Sequence, residues 1–115
     1  METTDLLNLI VNTLEDNKAE EIITLDVHEL TSVTDWMVIC SATSKRHAKA
    51  LSDYIITQIK AQGLQPLGVE GETQSEWLLV DLGDIVIHIM LPEVRKFYSL
   101  EKLWNETLKV REDGD

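Results

Sequence analysis

The sequence predicts a single compact α/β domain with a mixed β-sheet and flanking helices. Apolar residues recur at helical spacing near residues 4–16 and 44–62, and short apolar runs bounded by turn residues indicate strands between and after them. The chain has 115 residues, 43% of them hydrophobic, and no linker-like stretch. Residues 1–115 are therefore expected to form one domain, with an ordered core over about residues 4–104.

The first part of the chain is predicted to hold a helix and two strands. The helix covers residues 4–16, with Thr4 as its cap and Asp5 in its first turn. Its inner stripe consists of Leu6, Leu7, Ile10, Val11 and Leu14. The runs EIITLDV (residues 21–27) and TDWMVICS (residues 34–41) are predicted strands because they are rich in β-branched and apolar residues.

A second helix is predicted to open at Ser44 and to end before Gly63, a residue that suits the left-handed position after a helix. Its inner stripe consists of Ala48, Leu51, Ile55 and Ile59. We expect this helix to carry a crossover between neighbouring strands, because a parallel pair needs such a connection. Residues 66–69 are expected to form a short strand.

Residues 77–90, WLLVDLGDIVIHIM, predict a β-hairpin with two unlike faces. Gly83-Asp84 forms its two-residue turn, and Gly in the first position suits a type II′ turn. One face pairs Leu82 with Ile85, Val80 with Ile87 and Leu78 with Ile89. The other face places Trp77, Leu79 and Asp81 opposite Met90, His88 and Val86. The first face needs a core, whereas the mixture on the second favours a recognition surface.

The end of the chain is predicted to hold a short helix. Pro92 suits its first position, and it extends to about Tyr98. Ser99 is expected to cap a further turn through Trp104, and residues 105–115 to form an acidic tail.

The charge of the chain restricts its partners. Ten Lys and Arg against 21 Asp and Glu give a formal net charge of −11. Because nucleic-acid binding depends on neutralising phosphates with cations, we expect no direct sequence-specific contact with DNA or RNA. The acidity favours a basic partner or serves solubility alone, and both readings stay open.

No stretch approaches the length of a membrane span, and the acidic N-terminus lacks the basic region of a secretory signal. Cys40 is the one cysteine and ends an apolar run, which indicates a buried thiol in a reducing compartment. A cytoplasmic protein without a membrane partner is expected.

The junction at residues 41–47, SATSKRH, places Lys45 and Arg46 at the start of a helix, and Lys49 follows one turn later. Cations at this position oppose the helix dipole by about 0.3–1 kcal/mol each, which implies an anion nearby. An acidic residue of the protein is favoured over a bound phosphate, because the glycine pattern of a P-loop is absent.

Catalytic and metal-binding patterns are weak. The three histidines show no metal-ligand spacing, so no metal and no cofactor are expected. Asp81 and Asp84 flank the turn, where Asp is common, although paired carboxylates also serve acid–base chemistry. His88 is either part of a recognition surface or a buried histidine bonded to backbone. Trp77 is expected at an interface, with Phe97 as its buried neighbour on the short helix.

Three blocks together, TDWMVICSATSKRHAKAL, PLGVEGE and EWLLVDLGDIVIHIMLPEVRKFYSLEKLW, resemble the ribosomal silencing factor family, also called the Iojap family. The resemblance extends from the first predicted helix to Trp104. It implies a nucleotidyltransferase-like fold without established catalysis. Ala42 stands where the family usually has Gly, and the paired Asp-x-Asp of active nucleotidyltransferases is absent.

The resemblance implies binding to the large ribosomal subunit through large-subunit ribosomal protein fourteen, on the face that meets the small subunit. A factor bound there blocks subunit joining and represses translation under nutrient limitation. The expected partner-binding residues are Trp77, Leu79, Asp81, His88, Met90, Glu93, Arg95 and Tyr98. The alternatives are a metal-dependent nucleotidyl- or phosphoryl-transfer enzyme that uses Asp81 and the helix at Ser44, and a homodimer through the Trp77 face.

Overall fold

Within residues 2–99, five strands form one mixed sheet in the order β1-β2-β5-β4-β3, accompanied by three helices. The computed structural model describes residues 2–99. In chain order the elements are α1 (Thr3–Asp16), β1 (Glu20–Asp26), β2 (Trp36–Ser41), α2 (Lys45–Ala61), β3 (Gly68–Glu70), β4 (Trp77–Asp81), β5 (Ile85–Met90) and α3 (Pro92–Tyr98). β2 and β5 are parallel and the other pairs are antiparallel, so the predicted α/β class and mixed sheet are confirmed.

The hairpin of β4 and β5 has the predicted register. Leu78 pairs with Ile89, Val80 with Ile87, and Leu82 N–H donates to the carbonyl of Ile85. Gly83 has a φ of +89°, the positive value that the first position of the turn requires. The alternation of the strands therefore separates the two faces as predicted.

The aliphatic face of the sheet packs against α1 and α2. Side chains from both layers form one core, which includes Ile10, Leu14, Val38, Leu51, Ile55, Ile59, Leu78, Val80, Ile85, Ile87 and Ile89. Each fully buried side chain of this kind contributes roughly 1.5–3 kcal/mol relative to exposure. A smaller cluster of Leu25, Val27, Met37 and Ile39 lies on the opposite face, over β1 and β2.

The helix termini agree with the sequence at α2 and differ at α1. Ser44 caps α2, where its Oγ accepts a hydrogen bond of 3.0 Å from His47 N–H, and Gly63 follows the helix with a φ of +78°. The prediction that Thr4 caps α1 is wrong. The helix begins at Thr3 with Glu2 as its cap, because the Asp5 carboxylate reaches back to accept from Glu2 N–H.

Helix α2 does not connect neighbouring strands, so that prediction is wrong. It leads from β2 to β3 at the far edge of the sheet, and β5 and β4 occupy the positions between them. The physical reason is that the apolar stripe of α2 covers the aliphatic faces of β4 and β5, which need burial more than the short edge strand does. The short strand predicted over residues 66–69 forms at Gly68–Glu70.

Two predictions fall beyond the described part of the chain. The turn through Trp104 and the acidic tail at residues 105–115 lie outside the described residues. Within residues 2–99, no helix is both long and apolar enough to cross a membrane.

Candidate docking surface

The mixed face of the hairpin meets α3 at the end of the sheet where β4 begins. Trp77 lies half-buried at the start of β4, and its indole ring contacts the ring of Tyr98 at the end of α3, with centroids 4.9 Å apart. Phe97 continues the contact, because its ring lies edge-on to Tyr98 at a centroid distance of 5.0 Å. We call Trp77, Tyr98 and Phe97 the aromatic row.

The outer part of the aromatic row is accessible. Phe97 is 81% exposed and Tyr98 is 57% exposed. The prediction that Phe97 is buried is wrong, because α3 directs Arg95 inward. A residue two positions later on a helix lies about 200° around the axis, on the opposite side.

His88 accepts a hydrogen bond from the indole N–H of Trp77. Trp77 Nε1–H donates a hydrogen bond of 2.9 Å to His88 Nδ1, so the histidine must be neutral and carry its proton on Nε2. His88 is only 6% exposed, and its burial lowers its pKa to about 4. The expected alternative of a bond to backbone is replaced by this bond to the indole.

Arg95 links α3 to strands β1 and β2. Its Nη1 donates to the carbonyl of Glu21 at 2.7 Å and to Ser41 Oγ at 2.9 Å. The side chain is 4% exposed. Because α3 has seven residues and gains little stability alone, this link sets where the aromatic row lies.

An open groove of about 560 Å³ runs beside the aromatic row, between α3 and the loop of residues 71–76. Its lining includes Trp77, Glu93, Val94, Phe97 and Tyr98 from the strand and helix. Gly71 shapes the loop, since its φ is +88° and a Cβ there would lie 2.1 Å from the carbonyl oxygen of Trp77. No other residue type fits this approach without a shift of the backbone.

The eight residues expected to bind a partner divide into two groups. Glu93 and Tyr98 are exposed, and Trp77, Leu79 and Asp81 are half-buried on the same side of the sheet. His88, Met90 and Arg95 are buried, and Met90 has 0% of its surface exposed. These three side chains therefore offer a partner almost no surface in this structure, and their direct contact with a partner stays a prediction. All six residues of β5 are buried because it is a central strand, covered on both faces.

The candidate docking surface that remains is the aromatic row together with Leu79, Asp81 and Glu93. Comparison with known proteins identifies the family of the chain. A sequence model described as "Ribosomal silencing factor during starvation" matches residues 1–115. The chain belongs to the ribosomal silencing factor family. The resemblance identified from the sequence blocks is thereby confirmed.

Individual relatives agree with this family. A ribosomal silencing factor of Chromobacterium violaceum is 41% identical over 104 residues, covering 90% of this chain and 85% of the relative. A crystal structure of a Chromobacterium violaceum protein superimposes with a TM-score of 0.88 at 41% identity, over 91% of this chain and 88% of that one. The mouse protein named "Mitochondrial assembly of ribosomal large subunit protein 1" is 37% identical over 110 residues, covering 93% of this chain and 47% of its own length.

In this member of the ribosomal silencing factor family, the two carboxylates at the turn are used by the fold. Asp81 Oδ1 accepts a hydrogen bond of 2.9 Å from Gly83 N–H, which is the turn role weighed from the sequence. The Asp84 carboxylate accepts a longer hydrogen bond of 3.4 Å from the Thr3 hydroxyl, and the backbone carbonyl of Asp84 accepts from the N–H groups of Asp35 and Trp36. Among residues 2–99, no group of three or more His, Cys, Asp and Glu side chains could hold a metal ion.

Two of the three cations at the start of α2, Lys45 and Lys49, meet acids of the protein, as predicted. Lys45 Nζ lies 3.5 Å from Glu76 and Lys49 Nζ lies 3.9 Å from Glu72. Both pairs are exposed, so each contributes at most about 1 kcal/mol, and together they brace the 71–76 loop against α2. His47 also stabilises the junction between β2 and α2, because its Nδ1 accepts a hydrogen bond of 3.0 Å from Thr43 N–H.

Two parts of the candidate docking surface, the outward position of Phe97 and the close approach at Gly71, were not predicted from the sequence. The outward position of Phe97 follows from a helical wheel once Arg95 is known to be buried, but Arg is rarely buried and nothing in the sequence marks it. Gly71 carried a signal, since it closely follows the predicted short strand, and an isolated Gly in a strand pattern often marks a close approach of backbone.

Proposed function

We propose that this protein binds the large ribosomal subunit through large-subunit ribosomal protein fourteen and sterically prevents the small subunit from joining. The observation that carries the proposal is the aromatic row, an accessible set of rings held on β4 and α3. Trp and Tyr are the side chains most often responsible for binding energy at interfaces, because they offer a large area at a small cost in conformational entropy.

Charge supports a basic partner. The chain has a formal net charge of −11, and Glu93 adds a carboxylate beside the aromatic row. Ribosomal proteins are generally basic, so the field of the molecule would speed their encounter at low salt. The name of the mouse relative refers to the large ribosomal subunit, in agreement with this partner.

The mechanism needs no chemistry. A domain docked on the face that meets the small subunit occupies the space in which the contacts between the two subunits form. The subunits then cannot join, which represses translation when nutrients are limited. We place this action in the cytoplasm, where the subunits meet. The buried and single Cys40 suits a reducing compartment.

Co-sedimentation with isolated large subunits tests the proposal. The wild type should pellet with the subunits, and Trp77→Ala and Phe97→Ala should lose most of this binding. Tyr54→Ala is the matched control, because Tyr54 is 49% exposed but belongs to α2. Absence of wild-type binding would contradict the function, whereas equal binding by a folded Phe97→Ala variant would contradict the site.

No feature of the described residues favours the enzyme alternative. Asp81, the carboxylate it requires, is engaged by the turn. Calorimetry with nucleotides and Mg²⁺ tests this alternative, since heat of binding at millimolar ligand would support an enzyme. Light scattering at micromolar concentration tests the homodimer, which would compete with the ribosome for the aromatic row.

A further inference from the structure

We propose that His88 is a positioning residue, which presents Trp77 to the partner as an apolar plate whose polar N–H is already satisfied. This inference rests on the proposed function and adds the chemistry of the partner's site. That site would be an apolar or aromatic surface with no acceptor for the indole. The structure directs the polar N–H of the indole inward, onto His88.

The pairing of the strands brings the two residues together. His88 lies opposite Leu79 in the register, so Trp77 is its diagonal neighbour, a spacing that aromatic side chains can span. The bond from Trp77 Nε1–H to His88 Nδ1 measures 2.9 Å, and the ring centroids lie 5.9 Å apart. Because β5 is buried along its whole length, His88 has little freedom to move away.

Tyr98 restrains the indole from a second direction. Its ring lies 4.9 Å from that of Trp77, at an interplanar angle of 51°. The indole is therefore held by a directional bond at its Nε1 and by ring packing. A side chain fixed before docking loses less conformational entropy on binding, which favours affinity without any added contact.

The essential property of His88 is an acceptor at the position of Nδ1. Asn places a carbonyl oxygen at the equivalent point of its side chain, whereas Leu has a similar size and no acceptor. His88→Leu would leave the indole N–H without its partner beside a buried surface. The Trp77 ring would then rotate to reach water or tilt out of the aromatic row.

Nuclear magnetic resonance of the free wild-type protein tests the positioning directly. Trp77→Phe assigns the indole signal by its loss. A nitrogen–nitrogen coupling between Trp77 Nε1 and His88 Nδ1 is expected across the hydrogen bond. His88→Leu should shift the indole signal and weaken contacts between the Trp77 and Tyr98 rings, and His88→Asn should restore both. Absence of the coupling in the wild type would overturn the proposal, even if the leucine variant fails to fold.

Binding to isolated large subunits tests the consequence for docking. His88→Leu should weaken binding roughly 10-fold, and His88→Asn less than about 3-fold. In a Trp77→Phe background, which has no N–H to satisfy, His88→Leu should change binding less than about 2-fold. Equal losses in both backgrounds would overturn the inference. If the coupling is present but the wild type does not bind, the proposed function fails while the positioning stands.

Discussion

Arg95 in α3 donates a hydrogen bond of 2.7 Å to the backbone carbonyl of Glu21, which lies 74 residues earlier in the chain. Glu21 has a φ of +47°, and the register of β1 shifts between Glu20 and Ile23. This β-bulge costs conformational energy of order 1–3 kcal/mol, because residues other than Gly rarely adopt a positive φ. The link between the bulge and Arg95 connects the edge of the sheet to the helix that carries Phe97 and Tyr98.

Removal of Arg95 should loosen α3 and lower stability. Arg95→Ala deletes the hydrogen bonds to Glu21 and Ser41 and leaves the buried Ser41 hydroxyl without this donor, so we expect the free energy of unfolding to fall by about 2 kcal/mol or more. Urea denaturation measures this change. Hydrogen exchange should also accelerate at the amide of Ser99, whose N–H bonds to the carbonyl of Arg95.

The neighbouring cation provides the control for that prediction. Lys96 is exposed on the same helix, so Lys96→Ala should change the free energy of unfolding by less than about 0.5 kcal/mol. If both variants behave alike, α3 is not held by the Arg95 side chain.

Substitution of three glycines by Ala distinguishes the cost of backbone strain from the cost of a steric collision. Gly71→Ala combines a φ of +88° with a Cβ only 2.1 Å from the Trp77 carbonyl oxygen, and Gly63→Ala has a φ of +78° but no atom within 4 Å. Gly68→Ala has neither problem. We expect Gly71→Ala to be the most destabilising, Gly63→Ala to cost about 1 kcal/mol and Gly68→Ala to change stability little.

Thermal denaturation of the three variants gives the order. The Gly71→Ala protein should also bind large subunits poorly, because the Trp77 backbone must move to admit the Cβ. A Gly71→Ala variant as stable as Gly68→Ala would show that the 71–76 loop does not lie against β4.

The buried His88 should make stability depend on pH. Its pKa is about 4 in the folded protein and near 6.5 in the unfolded chain. The unfolded chain therefore takes up a proton first as the pH falls, so the contribution of neutral His88 is full above pH 6.5 and is lost between about 6.5 and 4. The loss amounts to roughly 3 kcal/mol.

Urea denaturation at pH 7.5 and 4.5 measures this loss. His88→Asn removes the titrating group, so its stability should decline less than that of the wild type. His28→Asn is the control, because the pKa of the exposed His28 is raised by its hydrogen bond to Asp26 and contributes with the opposite sign. If His88→Asn declines as steeply as the wild type, His88 is not the buried neutral base.

Local rules account for most of the fold. The hairpin register follows from period-two alternation and Gly83, and the start of α2 follows from Ser44. The position of β3 could not be predicted in this way. The strand that follows α2 could pair with β2 or lie two strands further along the sheet. The outcome depends on which strands α2 covers, and tertiary packing decides this.

The sequence predicted which strands and helix carry the candidate docking surface, but it did not predict how deeply each side chain is buried. Trp77 and Tyr98 were identified as aromatic anchors, but alternation along a strand gives only the face of a residue. Met90 and His88 share a face with Trp77 and are nevertheless buried, because β5 is central in the sheet. The bulge at Glu21 has no sequence signature, since it is stabilised by an arginine far along the chain.

We propose that the domain, docked through the aromatic row, keeps the two ribosomal subunits apart. The most direct measurement is sucrose-gradient separation of isolated large and small subunits mixed with increasing amounts of the protein. The wild type and Tyr54→Ala should deplete joined ribosomes in proportion to their concentration, whereas Trp77→Ala and Phe97→Ala should leave them intact. Joined ribosomes that persist at saturating wild-type protein would contradict the account.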